Sequence, residues 1–208
     1  MDQKNKWSGL AGDFDKRINY VAGERNIEAI QTALAAQSFN GKVLELGCGN
    51  GTFSASLAPK ADRLYVTDVS DQMLSVCRDR LKHLGNVEVE KQDCFALSYP
   101  DSKFDFVVMV NLLHVIPEPE KAIRESKRVL RANGKILVVS FTTEGMRLFD
   151  KLGMTCRYLR AFGKPPEKSR RLTVDTTKSM LEDQGFQTEE ARLIGVTSKA
   201  VFVRAAAS

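Results

Sequence analysis

The chain has 208 residues, 43% of them hydrophobic and 27% charged, the size of one globular domain and far from the composition of disordered chains. Lysine and arginine number 31 against 26 aspartates and glutamates, a net charge of +5 that is modest for a surface tracking phosphates along a whole face. No apolar run approaches the ~20 residues of a membrane span, and the opening Met1-Asp2-Gln3-Lys4-Asn5-Lys6 lacks the apolar segment of a secretory signal, so a cytoplasmic protein is expected.

In chain order, Ile27, Ile30 and Leu34 mark an amphipathic helix ahead of the first strand. Short, β-branched stretches at 42–46, 63–67, 87–90, 104–110 and 135–141 predict strands. Between them lie helix-period segments, the alternation of an α/β fold with a parallel sheet. Ser70 is placed to cap a helix that buries Met73, Leu74, Cys77 and Leu81 and stops at Leu84-Gly85. Pro119 opens another, with Ala122, Ile123, Ser126, Val129 and Leu130 inward, closed by Asn133-Gly134. Residues 174–184 predict a helix stopped at Gly185, and 186–194 and 196–203 predict two strands divided by Gly195, a turn short enough to force antiparallel pairing. Residues 142–172 are an irregular insertion with a break at Gly163-Lys164-Pro165-Pro166.

The four cysteines, Cys48, Cys77, Cys94 and Cys156, form no CxxC pair and have no histidines at zinc-ligand spacing, so they are read as structural thiols and no metal is expected. Leu44-Glu45-Leu46-Gly47-Cys48-Gly49-Asn50-Gly51 carries the chemistry. Glycines at every second place after a strand let the backbone turn and approach a ligand closely. The third glycine comes one residue too early for the G-x-G-x-x-G of a dinucleotide site. Asp68 ends the second strand about 20 residues on, where an acidic side chain reaches ribose hydroxyls, and Asp93 follows the third. Gly47, Asp68 and Asp93 then share the carboxyl edge of the sheet and form one nucleoside pocket.

These motifs resemble those of the class I S-adenosylmethionine-dependent methyltransferases, and the type 11 group within them. Glu45 to Gly51 is similar to that family's first motif, Thr67-Asp68-Val69-Ser70 to its ribose motif and Gln92-Asp93-Cys94 to its adenine motif. Residues 104–115 resemble its fourth motif, and Arg128 to Lys135 the approach to its fifth strand. The resemblance implies a Rossmann-like, doubly wound, seven-stranded sheet, mostly parallel with the last strand antiparallel, in one domain spanning 1–208. It implies S-adenosyl-L-methionine as cofactor. The loop of Gly47, Cys48, Gly49 and Gly51 would touch the methionine part, with Glu45 toward its amino group and Asn111 offering backbone nearby. Asp68 would hold the ribose, Asp93 the adenine amine, with Val69, Met73 and Cys94 beside the ring. Taken singly, Asp68 and Asp93 also suit turns or caps, and Met73 and Cys94 suit core packing.

Residues 1–24, with Trp7, Phe14 and Tyr20, resemble the family's lid over the cofactor, and 142–172 form the substrate side. There Phe149, Met154, Tyr158 and Phe162 supply an apolar wall for a small or lipid-like acceptor, and seven basic residues from Lys151 to Arg171 face two acidic ones. His114 is the candidate base toward the acceptor, or a structural hydrogen-bonder. A small-molecule acceptor is expected in preference to nucleic acid, because Asn111-Leu112-Leu113-His114 stands where methyltransferases of exocyclic amines carry an Asn-Pro-Pro-Tyr-like run. An RNA methyltransferase and a non-catalytic cofactor-binding scaffold are the alternatives. The acceptor atom and the oligomeric state are not read from the sequence.

Overall fold

A computed structural model describes Trp7 and residues 9–208; residues 1–6 and Ser8 of the expected lid lie outside it. Seven strands, β1 (Phe39–Leu46), β2 (Ala61–Asp68), β3 (Val87–Lys91), β4 (Phe104–Val110), β5 (Leu130–Thr142), β6 (Phe186–Ile194) and β7 (Lys199–Ala207), form one sheet in the order β3-β2-β1-β4-β5-β7-β6. The first five pair in parallel, and β7 runs antiparallel to both β5 and β6. This is the doubly wound α/β sheet expected, with its antiparallel last strand.

The central strands are apolar on successive positions because both their faces are covered. Alternation along the strand sends Val43, Val108 and Val139 into one core and Leu44, Val107 and Val138 into the other. The first core is closed by α1 (Phe14–Ala22), α2 (Glu24–Ala35), the single turn α3 (Ser54–Leu57) and α4 (Asp71–Leu81), which contribute Ile18, Ile30, Leu57 and Leu74. The second is closed by α5 (Pro119–Val129) and α7 (Val174–Glu182), through Ile123 and Leu181. Ser70 caps α4, its hydroxyl accepting from the Met73 N–H at 3.3 Å, and Pro119 sits in the first turn of α5, where its missing N–H is harmless. Thr173 and Thr176 close a reciprocal capping box on α7.

Several boundaries differ from the sequence reading. Residues 14–22 form a regular helix, α1, and α4 ends at Leu81 rather than Leu84. Strand β5 starts at Leu130, which pairs with Phe104 across an irregularity, and Asn133 takes φ 60° within it, so the expected helix closure is the first part of a strand. Strand β7 starts at Lys199 rather than Val196, because buried Asn26 holds the preceding turn. Asn26 Oδ1 accepts from the Val196 N–H at 2.9 Å, while its amide donates to Thr197 Oγ1 at 3.2 Å and to the Ala22 carbonyl at 2.6 Å. One side chain thus ties the end of α1, the start of α2 and the β6–β7 turn.

Removing that side chain leaves the buried Ala22 carbonyl and the part-buried Val196 N–H without the bond each now makes. Asn26→Ala is therefore expected to lower stability by roughly 1–3 kcal/mol, read as a reduced urea midpoint at unchanged slope.

Candidate functional site

The carboxyl ends of β1, β2, β3 and β4 open onto a cavity of about 450 Å³, within the size range of small-molecule sites. Its polar side is the strand edge, with Gly47, Gly49, Asp68, Asp93, Asn111 and His114. Its apolar side is the inner faces of α1, through Phe14, Ile18 and Val21, and of α6 (Leu148–Phe162), through Met154, Tyr158 and Phe162. Val69, Met73, Cys94 and Arg171 also line it.

The three loop glycines do different work. All have positive φ, 70° at Gly47, 56° at Gly49 and 81° at Gly51, the region L side chains avoid. A Cβ on Gly47 would stand 2.6 Å from Leu112 Cδ1, and one on Gly51 2.9 Å from Cys77 Sγ, whereas one on Gly49 meets nothing within 4 Å. Leu112 and Cys77 therefore require the outer two for packing, and Gly49 alone faces open space. The loop is held by Asp68, whose Oδ2 accepts from the Gly49 N–H and Oδ1 from the Ser70 N–H, each at 2.9 Å. Burial pushes the Asp68 carboxyl up, and the N–H groups of Ser70, Gly49 and Val69 pull against it. The Cys48 N–H donates to the Thr67 carbonyl at 2.9 Å, locking the loop to β2 a second time.

Asn111 lies at φ 57°, the conformation asparagine tolerates best after glycine. Its N–H donates to the Val139 carbonyl at 2.8 Å and its Oδ1 accepts from the Phe141 N–H at 2.9 Å, while Nδ2 is buried without a partner. Asp93 Oδ1 accepts from the Phe95 N–H at 3.0 Å, an Asx turn that presents residues 93–95 to the cavity. His114 Nδ1 is 2.8 Å from the hydroxyl of fully buried Ser140. Burial takes the His114 imidazole down to about 4, so it is neutral at pH 7.

Four expected site residues do not line this cavity. Glu45 is fully buried beneath the loop, where burial pushes its carboxyl up to about 7, with Ser54 and the Asp68 carboxylate as further influences. Cys48 turns to Cys77, Sγ to Sγ 3.9 Å, and burial raises its thiol. Gly51 packs on Cys77 as above, and Tyr20 projects outward beside Arg160 because Ile18 and Val21 take the inward positions of α1. Phe149, expected in the acceptor wall, is on the outer face of α6 and exposed; Met154, Tyr158 and Phe162 are in the wall.

The sequence reading missed what fastens the cover. Asp15 on α1 accepts from Asn50 Nδ2 at 2.9 Å, from Thr52 Oγ1 and from Arg80 on α4. Burial raises the Asp15 carboxyl, but the bonds from Thr52, Arg80 and Asn50 together outweigh it and hold it below the usual carboxylate value. Above, Trp7 stands edge-on to Phe14 and Phe162, with ring centroids 6.4 and 5.7 Å away. The Arg157 Nε donates to the Val21 carbonyl at 3.1 Å, joining α6 to α1. Asn50 and Thr52 flank the last loop glycine, the one local hint of this role.

Residues 44–138 match the family model of the methyltransferase domain. Over 115 residues the chain is 36% identical to the phosphatidylethanolamine N-methyltransferase of Cereibacter sphaeroides, covering 53% of this chain and 55% of that protein. Over 107 residues it is 36% identical to the ubiquinone/menaquinone biosynthesis C-methyltransferase UbiE of Pasteurella multocida (strain Pm70), covering 49% of this chain and 40% of that one. The chain thus spans about half the length of these curated relatives. Among solved structures, a SAM-dependent methyltransferase from Thermotoga maritima superposes with a TM-score of 0.73 at 19% identity, over 99% of this chain and 100% of that one. The N-methyltransferase NodS of Bradyrhizobium japonicum, solved with S-adenosyl-L-homocysteine, superposes at 0.65 and 20% identity, over 88% and 86%. Both share the fold.

Since its folded pKa is lowered, the contribution of Asp15 to docking α1 is present above the ordinary carboxylate value of about 4 and lost as pH falls through the folded value. Trp7 is the single tryptophan and reports this docking. Asp15→Asn is expected to red-shift its emission at neutral pH, whereas the unsubstituted chain shifts only below about pH 4. Coincident emission spectra at neutral pH would remove Asp15 as the fastener.

Proposed function

We propose that the chain, whose residues 44–138 match the methyltransferase domain family, transfers a methyl group from S-adenosylmethionine to a small-molecule or lipid-like acceptor. The observation that carries this reading is the cavity with a hydrogen-bonding floor on one side and an apolar cover on the other. The relatives named for phosphatidylethanolamine and for ubiquinone/menaquinone biosynthesis favour a lipid-like acceptor.

The residues present fit such a cofactor. Gly49 leaves room for close approach, and buried Asn111 Nδ2 lacks a partner that a ligand would provide. The Asp68 carboxylate accepts from the N–H groups of Gly49, Ser70 and Val69 and, with roughly four lone-pair sites on its two oxygens, retains capacity for a ribose hydroxyl. Asp93, which follows the next strand, would meet the adenine amine, and Val69, Met73 and Cys94 line the same cavity. When bound, the cofactor supplies a methyl on a positive sulfonium, an electrophile displaced in line.

The chain then has to align the acceptor, shut out water and accommodate a proton. Phe14, Met154, Tyr158 and Phe162 do the first two, and alignment alone is worth roughly 7–11 kcal/mol. His114, with Nδ1 engaged by Ser140, leaves Nε2 as the ring nitrogen for the acceptor. A neutral imidazole with a pKa of about 4 accepts a hydrogen bond and orients the acceptor, and it hands on any proton it receives rather than storing it.

The reading is tested in two steps. S-adenosylhomocysteine binding, followed by calorimetry, is expected to weaken roughly tenfold or more in Gly49→Ala, while circular dichroism shows the fold retained at a strain cost of roughly 1–2 kcal/mol. Labelled methyl transferred in cell extract is expected in the lipid and small-molecule pool; label that nuclease removes would overturn the acceptor class. The pH profile examines His114: its acid limb is expected near 4, following the lowered imidazole, and a limb near the unperturbed ~6.5 would remove His114 from the site.

A further inference from the structure

Helix α6 is apolar on both sides. Met154, Tyr158 and Phe162 face the cavity, yet none of its fifteen residues is buried. On the opposite side, at helical spacing, Leu148 is 67% exposed, Phe149 85%, Leu152 55% and Leu159 46%, with exposed Cys156 between them. A helix with apolar side chains on two sides, one of them uncovered, calls for a second apolar cover, and an exposed apolar patch of this kind marks an interaction surface.

Charge decides among the covers. From Arg147 to Arg171 the chain carries eight basic residues against two acidic ones, Asp150 and Glu167. Arg147, just before the helix, and Arg160, on it, are exposed, and Lys164 follows its end. Beside Arg160, Lys16 and the exposed Tyr20 of α1 continue the same surface. A two-fold pairing of copies through this face would set like charges against like. An anionic bilayer complements it: the apolar stripe enters the acyl boundary, the cations meet headgroups, and the tyrosine suits the interface. Among the described residues no helix is long and apolar enough to cross a membrane, so the contact is surface docking.

We propose that α6 is a membrane-docking helix, seating Leu148, Phe149, Leu152 and Leu159 in the surface of an anionic lipid bilayer with Arg147 and Arg160 on its headgroups. The same helix walls the cavity, so docking brings the acceptor side to the bilayer. That consequence rests on the lipid-like acceptor proposed above; the docking does not.

The test is co-sedimentation of the full chain with phosphatidylcholine vesicles, with and without phosphatidylglycerol. Binding is expected only where phosphatidylglycerol is present, released by raised salt. It should weaken roughly tenfold or more when Phe149→Ser and Leu152→Ser are combined, the loss of about one buried apolar side chain or more. Arg147→Glu with Arg160→Glu should abolish the preference for phosphatidylglycerol. These side chains are exposed, so the fold is not at risk, and S-adenosylhomocysteine binding should be unchanged in both variants. No binding to either vesicle, or binding indifferent to both variants, would overturn the proposal. So would a dimer in sedimentation velocity that Phe149→Ser and Leu152→Ser dissolve, which would assign the stripe to a second copy. Failure of S-adenosylhomocysteine to bind the unsubstituted chain would strike the methyltransferase reading and leave the docking result standing.

Discussion

The site depends on one carboxylate. Asp68 ends β2 and places its two oxygens on backbone N–H groups from opposite directions, Gly49 in the loop after β1 and Ser70 at the cap of α4. Without that bridge the glycine loop would rest on the Cys48 N–H bond to the Thr67 carbonyl and the Asn50 bond to Asp15 on α1. The bonds also explain how a mostly buried acid is tolerated. Desolvation opposes its charge and prevails, and the N–H groups of Ser70, Gly49 and Val69 pull the other way. From this bridge follow the loop's distance from β2, the direction in which Gly49 opens, and the start of α4 with Met73 against the cavity.

The cover is built on different physics. Where the floor is a set of short backbone contacts at strand ends, the cover consists of two helices joined by rings and by hydrogen bonds between Arg17 or Arg157 and carbonyls of the other helix. Its polar fastening to the floor runs through Asp15, with partners at Asn50, Thr52 and Arg80. Such contacts open more readily than a parallel sheet, and lids are drawn from the less stable parts of a fold. The division suits a site that must hold one ligand by fixed hydrogen bonds and admit another by apolar contact.

Much of this was legible beforehand. Strand 104–110 has the bounds that its apolar run predicts, since a buried strand announces itself by a continuous run, and the edge strand 186–194 has the bounds set by Gly185 and Gly195. The positions of Asp68, Asp93, Asn111 and His114 around one opening follow from the rule that parallel strands present their carboxyl ends together. What stayed hidden are contacts across the chain. Asp15 meets Asn50 and Arg80 only because α1 folds back over the loop. The period of a helix says which side chains share a face, as Phe149 and Leu152 do, but not which face meets the cavity. The glycines carry more than one constraint: Gly47 and Gly51 are required by the packing of Leu112 and Cys77, and Gly47 lines the cavity as well. Glu45 and Cys48 belong to the support under the loop, which a motif match does not separate from its surface.

Because no residue of α6 is buried, the cavity wall it forms can change without touching the core. A substitution at Met154, Tyr158 or Phe162 alters the shape of the cavity and removes contacts at one edge, whereas a change at Gly47 or Leu44 strains the sheet itself. The molecule thus confines its tolerance for sequence change to one wall of the cavity. The shape of that wall can be altered by a few replacements in fifteen residues, with the stability of the floor held in reserve.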